Sequence, residues 1–575
     1  MAQSATPAPP VSRPQTPARP RGRRRRRLSL SANLLLLGLW VLLLIFILYP
    51  IFRIVSESAQ VDGQVSLGNY QKFFTTAYFR HTLYNTLIIS ALATLGAVLL
   101  GLLYAFGMTR TNMPGKGFFM LVSILPLITP PFFSAFAFVL LLGRQGLFNK
   151  LLHTLFGVRW VIYGWHGVIL AQIITLFPIA FLNLTAALGG IDPRVEEAAE
   201  DLGGDFFYVT RRITLPLLTP ALFSSAILIF MFNLSAFGIP AILGGNNLFW
   251  KDASMLAPEA IIQILGVFDW GMGTTLAMMM LAPSFLLFLF RDWYVRRRSY
   301  ITVTGIPTSF GSRPVPSSVK WTIFGICALA AFLVVSIYVV IFMGAVTRTW
   351  GVDYSLSNRH LALMMKTGKS SIVNSLVLSL GGALVAAMLG MIIAFVVTRW
   401  RFPGKNSFSF LAMLPYALPG VVMGLGFATG FNSGLIILTG TWMIILLDFA
   451  IRRMPFGIES GKSALAQIDV TLEEAAADMG ADWVTVFRRI TLPLLRPTFI
   501  AALTFSFIKA MTDITSVIFL VSPHWRLMSV DIYNYITAGR LGVAAAMASF
   551  MVILVVAVLA IIWRVSGLGY RMFKL

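Results

Sequence analysis

Two stretches of this 575-residue chain look at first like phosphate-binding loops: Gly457-Ile458-Glu459-Ser460-Gly461-Lys462-Ser463 and Thr367-Gly368-Lys369-Ser370. Such a loop needs Gly-x-x-x-x-Gly-Lys-Ser/Thr between a strand and a helix, so that backbone N–H groups cradle the phosphates. The first stretch has its leading glycine one residue too close, and the second has Leu363 where that glycine belongs. Neither follows a strand-like run. The chain is therefore read as having no ATPase site and no bound cofactor of its own, and energy must come from a separate subunit or an ion gradient. Its five histidines (His81, His153, His166, His360, His524) lack ligand-like spacing, and its one cysteine, Cys327, lies in an apolar run. No metal site or disulfide framework is expected. No paired carboxylates and no nucleophile–base arrangement stand out, which argues against an enzyme.

What remains is a set of charges in apolar surroundings and one polar phrase written twice. Asp448 stands four residues before Arg452, with Arg453 beside it, and Lys509 stands four residues before Asp513. Charges inside a bilayer are costly and tend to face a bundle interior or an aqueous path. The spacing also permits each pair to neutralise itself along one helix face, so a pathway role and a local pairing both stay open. Their counterparts in the first half of the chain (Thr175, Leu176, Phe232, Ala236) are neutral, so any role is confined to the second half. Pro126, Pro130 and Pro131, and likewise Pro415 and Pro419 with Gly420 and Gly424, interrupt apolar runs. A broken helix is tolerated in a membrane only where it is buried or lines a cavity, which makes Pro126 and Pro415 gate candidates.

The repeated phrase is DPRVEEAAEDLGGDFFYVTRRITLPLLTP (192–220) and DVTLEEAAADMGADWVTVFRRITLPLLRP (469–497), identical at 18 of 29 positions. Loops normally drift faster than the elements they join, so two preserved polar segments point to a bound partner that comes in two copies. Asp192 before Pro193 suits the start of a short helix, and Thr471 with Glu474 fits a capping box. Acidic residues in the first turn suit the helix dipole, and Gly203 and Gly480 permit a sharp exit. A second amphipathic segment follows (206–213 and 483–490), and Pro216 and Pro493 sit where the chain re-enters an apolar run.

The chain is 57% hydrophobic and 12% charged, against about a quarter charged for a soluble domain. Apolar runs of about 20 residues are long enough to span a bilayer. Twelve are expected: 31–55, 83–107, 117–142, 162–188, 216–243, 271–293, 320–346, 371–398, 407–431, 434–460, 497–521 and 541–565. The net charge of +23 is concentrated in part at the start, where eight arginines fall in the first 27 residues, five of them consecutive. No aromatic or base-reading groups interleave with them, so they suit a cytoplasmic anchor and anionic membrane lipid and not nucleic acid. With the N-terminus inside, the clusters at Arg110/Lys116, Arg194/Arg211/Arg212, Arg296–Arg298, Arg399/Arg401/Lys405, Arg488/Arg489 and Arg564/Arg571/Lys574 all fall inside. Both termini are then cytoplasmic. The outside connections also hold some basic residues, Arg144, Lys150, Arg159, Arg359 and Lys366 among them, but without such clustering.

The expected organisation is a disordered basic tail (1–30), a first six-span domain (31–294), a cytoplasmic linker (295–319) and a second six-span domain (320–575). Asn85 answers Asn374, TRTNMPGK (109–116) answers TRWRFPGK (398–405), and Trp165 and Pro178 answer Trp442 and Pro455. Even span counts give both repeats the same orientation. The fold class is thus all-α integral membrane, two repeats related by a pseudo-twofold axis along the membrane normal.

The doubled pattern Glu-Ala-Ala, three residues, Gly, nine residues, Ile-x-Leu-Pro resembles the EAA motif of permease subunits of type I binding-protein-dependent ABC importers. The similarity covers nearly the whole chain after the tail, and the fusion of two motifs resembles the ferric-iron transport permeases. Thiamine and proposed 2-aminoethylphosphonate permeases are also fused. The resemblance implies a multi-pass protein of the bacterial inner membrane that forms the solute pathway. It implies two copies of a cytoplasmic ATPase subunit, which bind ATP, and a periplasmic solute-binding protein. Carried over by residue, Glu197, Ala198, Ala199 and Gly203 would face one ATPase, and Glu474, Ala475, Ala476 and Gly480 the other, each glutamate meeting a basic or polar group. Ferric iron is the first choice of solute, with 2-aminoethylphosphonate, thiamine and polyamines open. The alternative is an ion-coupled secondary carrier with parallel six-span repeats, which would need intramembrane acids such as Asp448 or Asp513.

Overall fold

The computed structural model describes residues 29–245, 248–297, 315–434 and 436–566. The expected basic tail (1–30) and linker (295–319) lie largely outside the described residues, as do Arg571 and Lys574. Among the described residues the chain is helical, apart from two short antiparallel hairpins, Gln60–Val61 with Gln64–Val65 and Thr347–Thr349 with Asp353–Leu356. Nine helices among them are long and apolar enough to cross a bilayer, and eleven crossings result if each of two sharply bent pairs counts as one. The expected twelfth falls on Trp442–Gln467, 26 residues long, whose Asp448, Arg452, Arg453 and Glu459 keep it outside that count. The expected span 117–142 is two helices, Lys116–Ile128 and Phe132–Leu142, separated at Thr129–Pro131. The one at 407–431 is bent by 105° between Lys405–Tyr416 and Gly420–Gly430.

The two halves use the same joints. Ala77–Arg110 packs along Trp165–Gly189, and Lys369–Arg399 along Trp442–Gln467. Small residues allow the close approach that helices in lipid rely on. A Cβ on Gly101 would stand 2.5 Å from that of Ala180, and one on Gly390 would stand 2.8 Å from the Gly457 Cα. Asn85 donates to the carbonyls of Trp250, Ala253 and Ser254, and Asn374 donates to those of His524 and Arg526. The hydroxyls of Thr86 and Ser375 accept from the N–H groups of Leu256 and Met528, each at 2.8 Å.

Each half also lends its first helix to the other. Leu30–Ser58 lies against Gly420–Gly430, with Phe46 and Tyr49 on Phe431 at ring separations of 5.6 and 5.8 Å. Ser317–Val346 lies against Lys116–Ile128 and Phe132–Leu142, with Phe324 on Phe119 (5.6 Å) and Tyr338 on Phe133 (5.4 Å). One apolar core therefore runs through both halves.

Candidate functional site

The repeated phrase folds into two matching elbows. Asp192 caps Pro193–Asp201 by accepting from the Arg194 N–H (3.0 Å), and Asp469 caps Val470–Asp478 by accepting from the Thr471 N–H (3.0 Å). The expected capping box of Thr471 with Glu474 is not formed. Asp469 takes the capping position, and Thr471 is already inside the helix. Both short helices end in the same left-handed turn, with φ +89° at Gly203 and +90° at Gly480. Gly203 and Gly204 donate to the carbonyls of Glu200 and Ala199; Gly480 and Ala481 donate to those of Ala477 and Ala476. These are complete Schellman closures, which leave no Cβ-bearing residue comfortable at the turn. Asp205 and Asp482 then cap the next segment through the N–H groups of Tyr208 (2.8 Å) and Thr485 (3.0 Å). Each segment passes through one wide π-helical turn, Thr210–Thr214 and Phe487–Thr491, before continuing.

Of the expected docking residues, Glu197, Ala198, Gly203, Glu474, Ala475 and Gly480 are exposed, Ala199 is half-buried, and Ala476 is buried. Ala476 follows Glu473 by three positions and shares that residue's inward face. The apolar residues just before the two turns stand free, Leu202 at 90% and Met479 at 84% exposure. Beside the first, a cleft of about 700 Å³ is lined by Ala199, Leu202, Gly203, Tyr208, Arg212 and neighbours.

What the sequence reading missed is how the elbows are held. The first glutamate of each Glu-Glu-Ala-Ala, not the second, is turned inward. Arg110, at the end of the first half's second helix, pairs with Glu196 at 3.2 Å and also donates to the Leu188 carbonyl (3.2 Å). The Thr214 hydroxyl donates to Glu196 at 2.6 Å. In the second half Arg399 pairs with Glu473 at 2.9 Å and donates to the carbonyls of Leu465 and Ile468, while Thr491 donates to Glu473 at 3.2 Å. One carboxylate thus ties together the elbow helix, the end of the second helix, the end of the fourth and the π turn. Burial makes such a pair costly to break once formed. The signal was available: Arg110/Arg399, Glu196/Glu473 and Thr214/Thr491 are identical between the repeats.

The intramembrane charges are brought together, though not along one helix. Arg452 and Arg453 both pair with Asp513 across the gap between Trp442–Gln467 and the end of Arg496–Met511. Ser516 donates to Asp448 at 2.6 Å and accepts from Arg452 at 2.6 Å, and Arg453 donates to the Lys509 carbonyl at 3.2 Å. The local pairing considered for Asp448 with Arg452, and for Lys509 with Asp513, gives way to this interhelical network. The Lys509 ammonium instead lies 5.9 Å from the Phe505 ring centre. The network also grips the second half's broken helix: a Cβ on Gly420 would stand 2.8 Å from an Arg452 guanidinium nitrogen. In the corresponding place the first half has a neutral residue, Thr175, whose hydroxyl donates to the Ala171 carbonyl at 2.7 Å and to Ser134 at 3.0 Å.

A profile for the binding-protein-dependent transport system inner membrane component matches residues 97–300 and again 386–567. The chain belongs to that family. The ferric transport system permease protein FbpB of Actinobacillus pleuropneumoniae is 32% identical over 538 residues, 91% of this chain and 77% of its own length. The putative ferric transport system permease protein FbpB 1 of Haemophilus influenzae is 32% identical over 509 residues, 86% of this chain and 79% of its own length. A solved bacterial ABC transporter involved in importing alginate aligns over 47% of this chain and 96% of its own, at 18% identity and a TM-score of 0.41. The protein is thus an ABC importer permease of the inner membrane with two family domains fused in one chain, and the ion-coupled carrier is set aside. In the permease, the string Gly457–Ser463 lies inside the Trp442–Gln467 helix and Thr367–Ser370 joins two helices; neither forms a phosphate loop. Pro126 lies inside Lys116–Ile128, just before its break, and Pro415 lies in the short 3-10 turn Leu414–Tyr416, just before the break that holds Pro419.

Proposed function

We propose that the permease is the complete membrane channel of an importer driven by two cytoplasmic ATPase subunits, one seated on each elbow. Each six-span half, 31–294 and 320–575, contributes equally around a pseudo-twofold axis along the membrane normal, with both termini and the elbows inside. Glu197, Ala198 and Gly203, and Glu474, Ala475 and Gly480, present the docking surface, with Leu202 and Met479 as apolar contacts. ATP is bound by the ATPases, and their closure draws the elbows together. The buried Arg110–Glu196–Thr214 and Arg399–Glu473–Thr491 ties pass that displacement to the second and fourth helices of each half. The breaks at Pro126 and Pro415, with Asp448, Arg452, Arg453, Lys509 and Asp513 behind the second, are where the pathway opens and shuts. A periplasmic solute-binding protein delivers the cargo from outside. Ferric iron is the solute best supported, by the two relatives at 32% identity over most of the chain.

The observation that carries this reading is the pair of exposed elbows with the same caps, the same glycine turn and the same buried anchor. Two such surfaces fit a partner present in two copies, since a state change requires differential binding by that partner. Glu197→Ala with Glu474→Ala should weaken ATPase co-purification and uptake together, by about tenfold or more for two charge-assisted contacts. Unchanged ATPase association with full uptake in the double variant would remove the elbows from the coupling role.

A further inference from the structure

At the end of the bundle opposite the elbows, the first half carries something the second lacks. Between Phe132–Leu142 and Trp165–Gly189 the chain forms an additional helix, Leu147–Phe156, whereas the matching connection after Gly430 runs to Trp442 with no helix among the described residues. Trp165–Gly189 spans 25 residues, about 37 Å at 1.5 Å per residue, so this helix and the first elbow lie at opposite membrane faces. Its position is well fixed. Asn149 is buried and donates to the carbonyls of Leu142 (2.6 Å) and Gly143 (2.8 Å), and it accepts from the Trp160 N–H at 2.9 Å. Lys150 donates to the Gly351 carbonyl of the Thr347–Leu356 hairpin, and its ammonium stands 5.6 Å from the Tyr354 ring centre.

This scaffold holds open a cleft of about 270 Å³ whose wall includes Arg144, Lys150, His153 and Arg159 with Gln145 and Thr154. No carboxylate lines it, and the sequence has no Asp or Glu at all between Asp62 and Asp192. Basic residues are selected against on the outer side of a membrane protein. Three permanent cations gathered there around one concavity, with no carboxylate in its wall, make a surface that attracts anions. The apolar side of the same helix is separate: Leu147, Leu151 and Leu155 form an exposed stripe at i, i+4, i+8. That stripe suits the outer leaflet, whereas a wall polar throughout suits an aqueous protein partner.

We propose that this cleft receives carboxylates from the acidic rim of the soluble solute-binding protein, and that it fixes which side of that single asymmetric partner meets the first half. The inference rests on the importer reading above and adds a surface that reading did not assign. Charge pairs of this kind act on encounter and orientation more than on the chemistry that follows. The test uses spheroplasts washed free of soluble outer proteins, with uptake restored by titrating back the purified soluble protein that restores it.

In Arg144→Glu with Arg159→Glu, Lys150 being left to hold Gly351, the half-saturating concentration of that protein should rise about tenfold while the maximal rate is kept. Raised salt should weaken the wild type towards the variant. If the charge-reversed permease fails to reach the membrane, Arg144→Gln with Arg159→Gln serves, with a smaller rise in the same direction. A shift under about twofold in both pairs, with uptake still dependent on the added protein, overturns the inference and leaves the importer reading intact. Uptake that never needed a soluble protein overturns the importer reading first. A rise that appears in anionic proteoliposomes but not in neutral ones assigns the cleft to lipid headgroups and likewise overturns the inference.

Discussion

The two halves of the permease agree at one end and differ at the other. At the elbow end, caps, glycine turns, π turns and buried Arg–Glu–Thr ties recur residue for residue. In mid-membrane, a network of four charged side chains (Asp448, Arg452, Arg453 and Asp513) in the second half answers one neutral hydroxyl in the first, that of Thr175, bonded to Ser134 and to the Ala171 carbonyl. At the far end the first half has the Leu147–Phe156 helix and its basic cleft, where the second half has no helix among the described residues. Loops drift unless something holds them, so the agreement marks where the two halves answer to the same constraint. On the proposed reading that constraint is a motor in two identical copies, while cargo and delivery protein are single and tolerate, or require, unlike halves.

The mid-membrane difference predicts the largest effect. Asp513→Ala leaves Arg452 and Arg453 without their shared carboxylate in a poorly solvated place, which should cost about 3–5 kcal/mol. Thr175→Val removes one neutral hydroxyl, shared between Ser134 and the Ala171 carbonyl, at the matching site, about 1 kcal/mol. Thermal unfolding of the detergent-solubilised permease checks both, and equal losses would show that the asymmetry is one of composition and not of energetics.

The elbow anchors come next and sharpen the comparison from the other side. Glu196→Ala and Glu473→Ala each strand a buried arginine, so each should destabilise by about 2–4 kcal/mol. The first should cost more, since Arg110 and Glu196 are 3% and 0% exposed against 11% and 9% for Arg399 and Glu473. The order is read from the same unfolding assay, and a reversed order would mean that water access does not set the strength of these ties.

The sequence made the helical membrane class, the repeat and the elbows legible because each leaves a local mark: apolar runs, matched phrases, an Asp before a short acidic helix, a glycine at its end. It did not reveal which glutamate of Glu196-Glu197 points inward, because that depends on where Arg110 arrives from a helix more than eighty residues earlier. The charges at 448–453 and 509–513 invited an i,i+4 reading, yet the loop after Met511 carries Asp513 across to the neighbouring helix. The basic cleft was visible only as scattered outer residues, since Asn149 and the hairpin that shape it act through backbone carbonyls. Short-range patterns survive in one dimension; contacts made by chain return do not.

The smallest expected effect concerns the second elbow's caps. Hydrogen bonds from Thr471, its backbone N–H foremost, hold the Asp469 carboxyl below the ordinary aspartate range, and bonds from Thr485 do the same for Asp482. A carboxyl depressed in the folded state contributes stability that is present above its unfolded value, about 3.9, and that is lost as pH falls through the lower folded value. Amide protection at Thr471 and Thr485, corrected for intrinsic exchange, should therefore hold from neutral pH to about 4 and decline below it. Asparagine caps a helix nearly as well and does not titrate. In Asp469→Asn with Asp482→Asn the helix should persist and the decline should flatten. A decline that survives the substitution would place the acid response deeper in the elbow than its caps, and would make the anchor, not the exposed turn, the part that yields first.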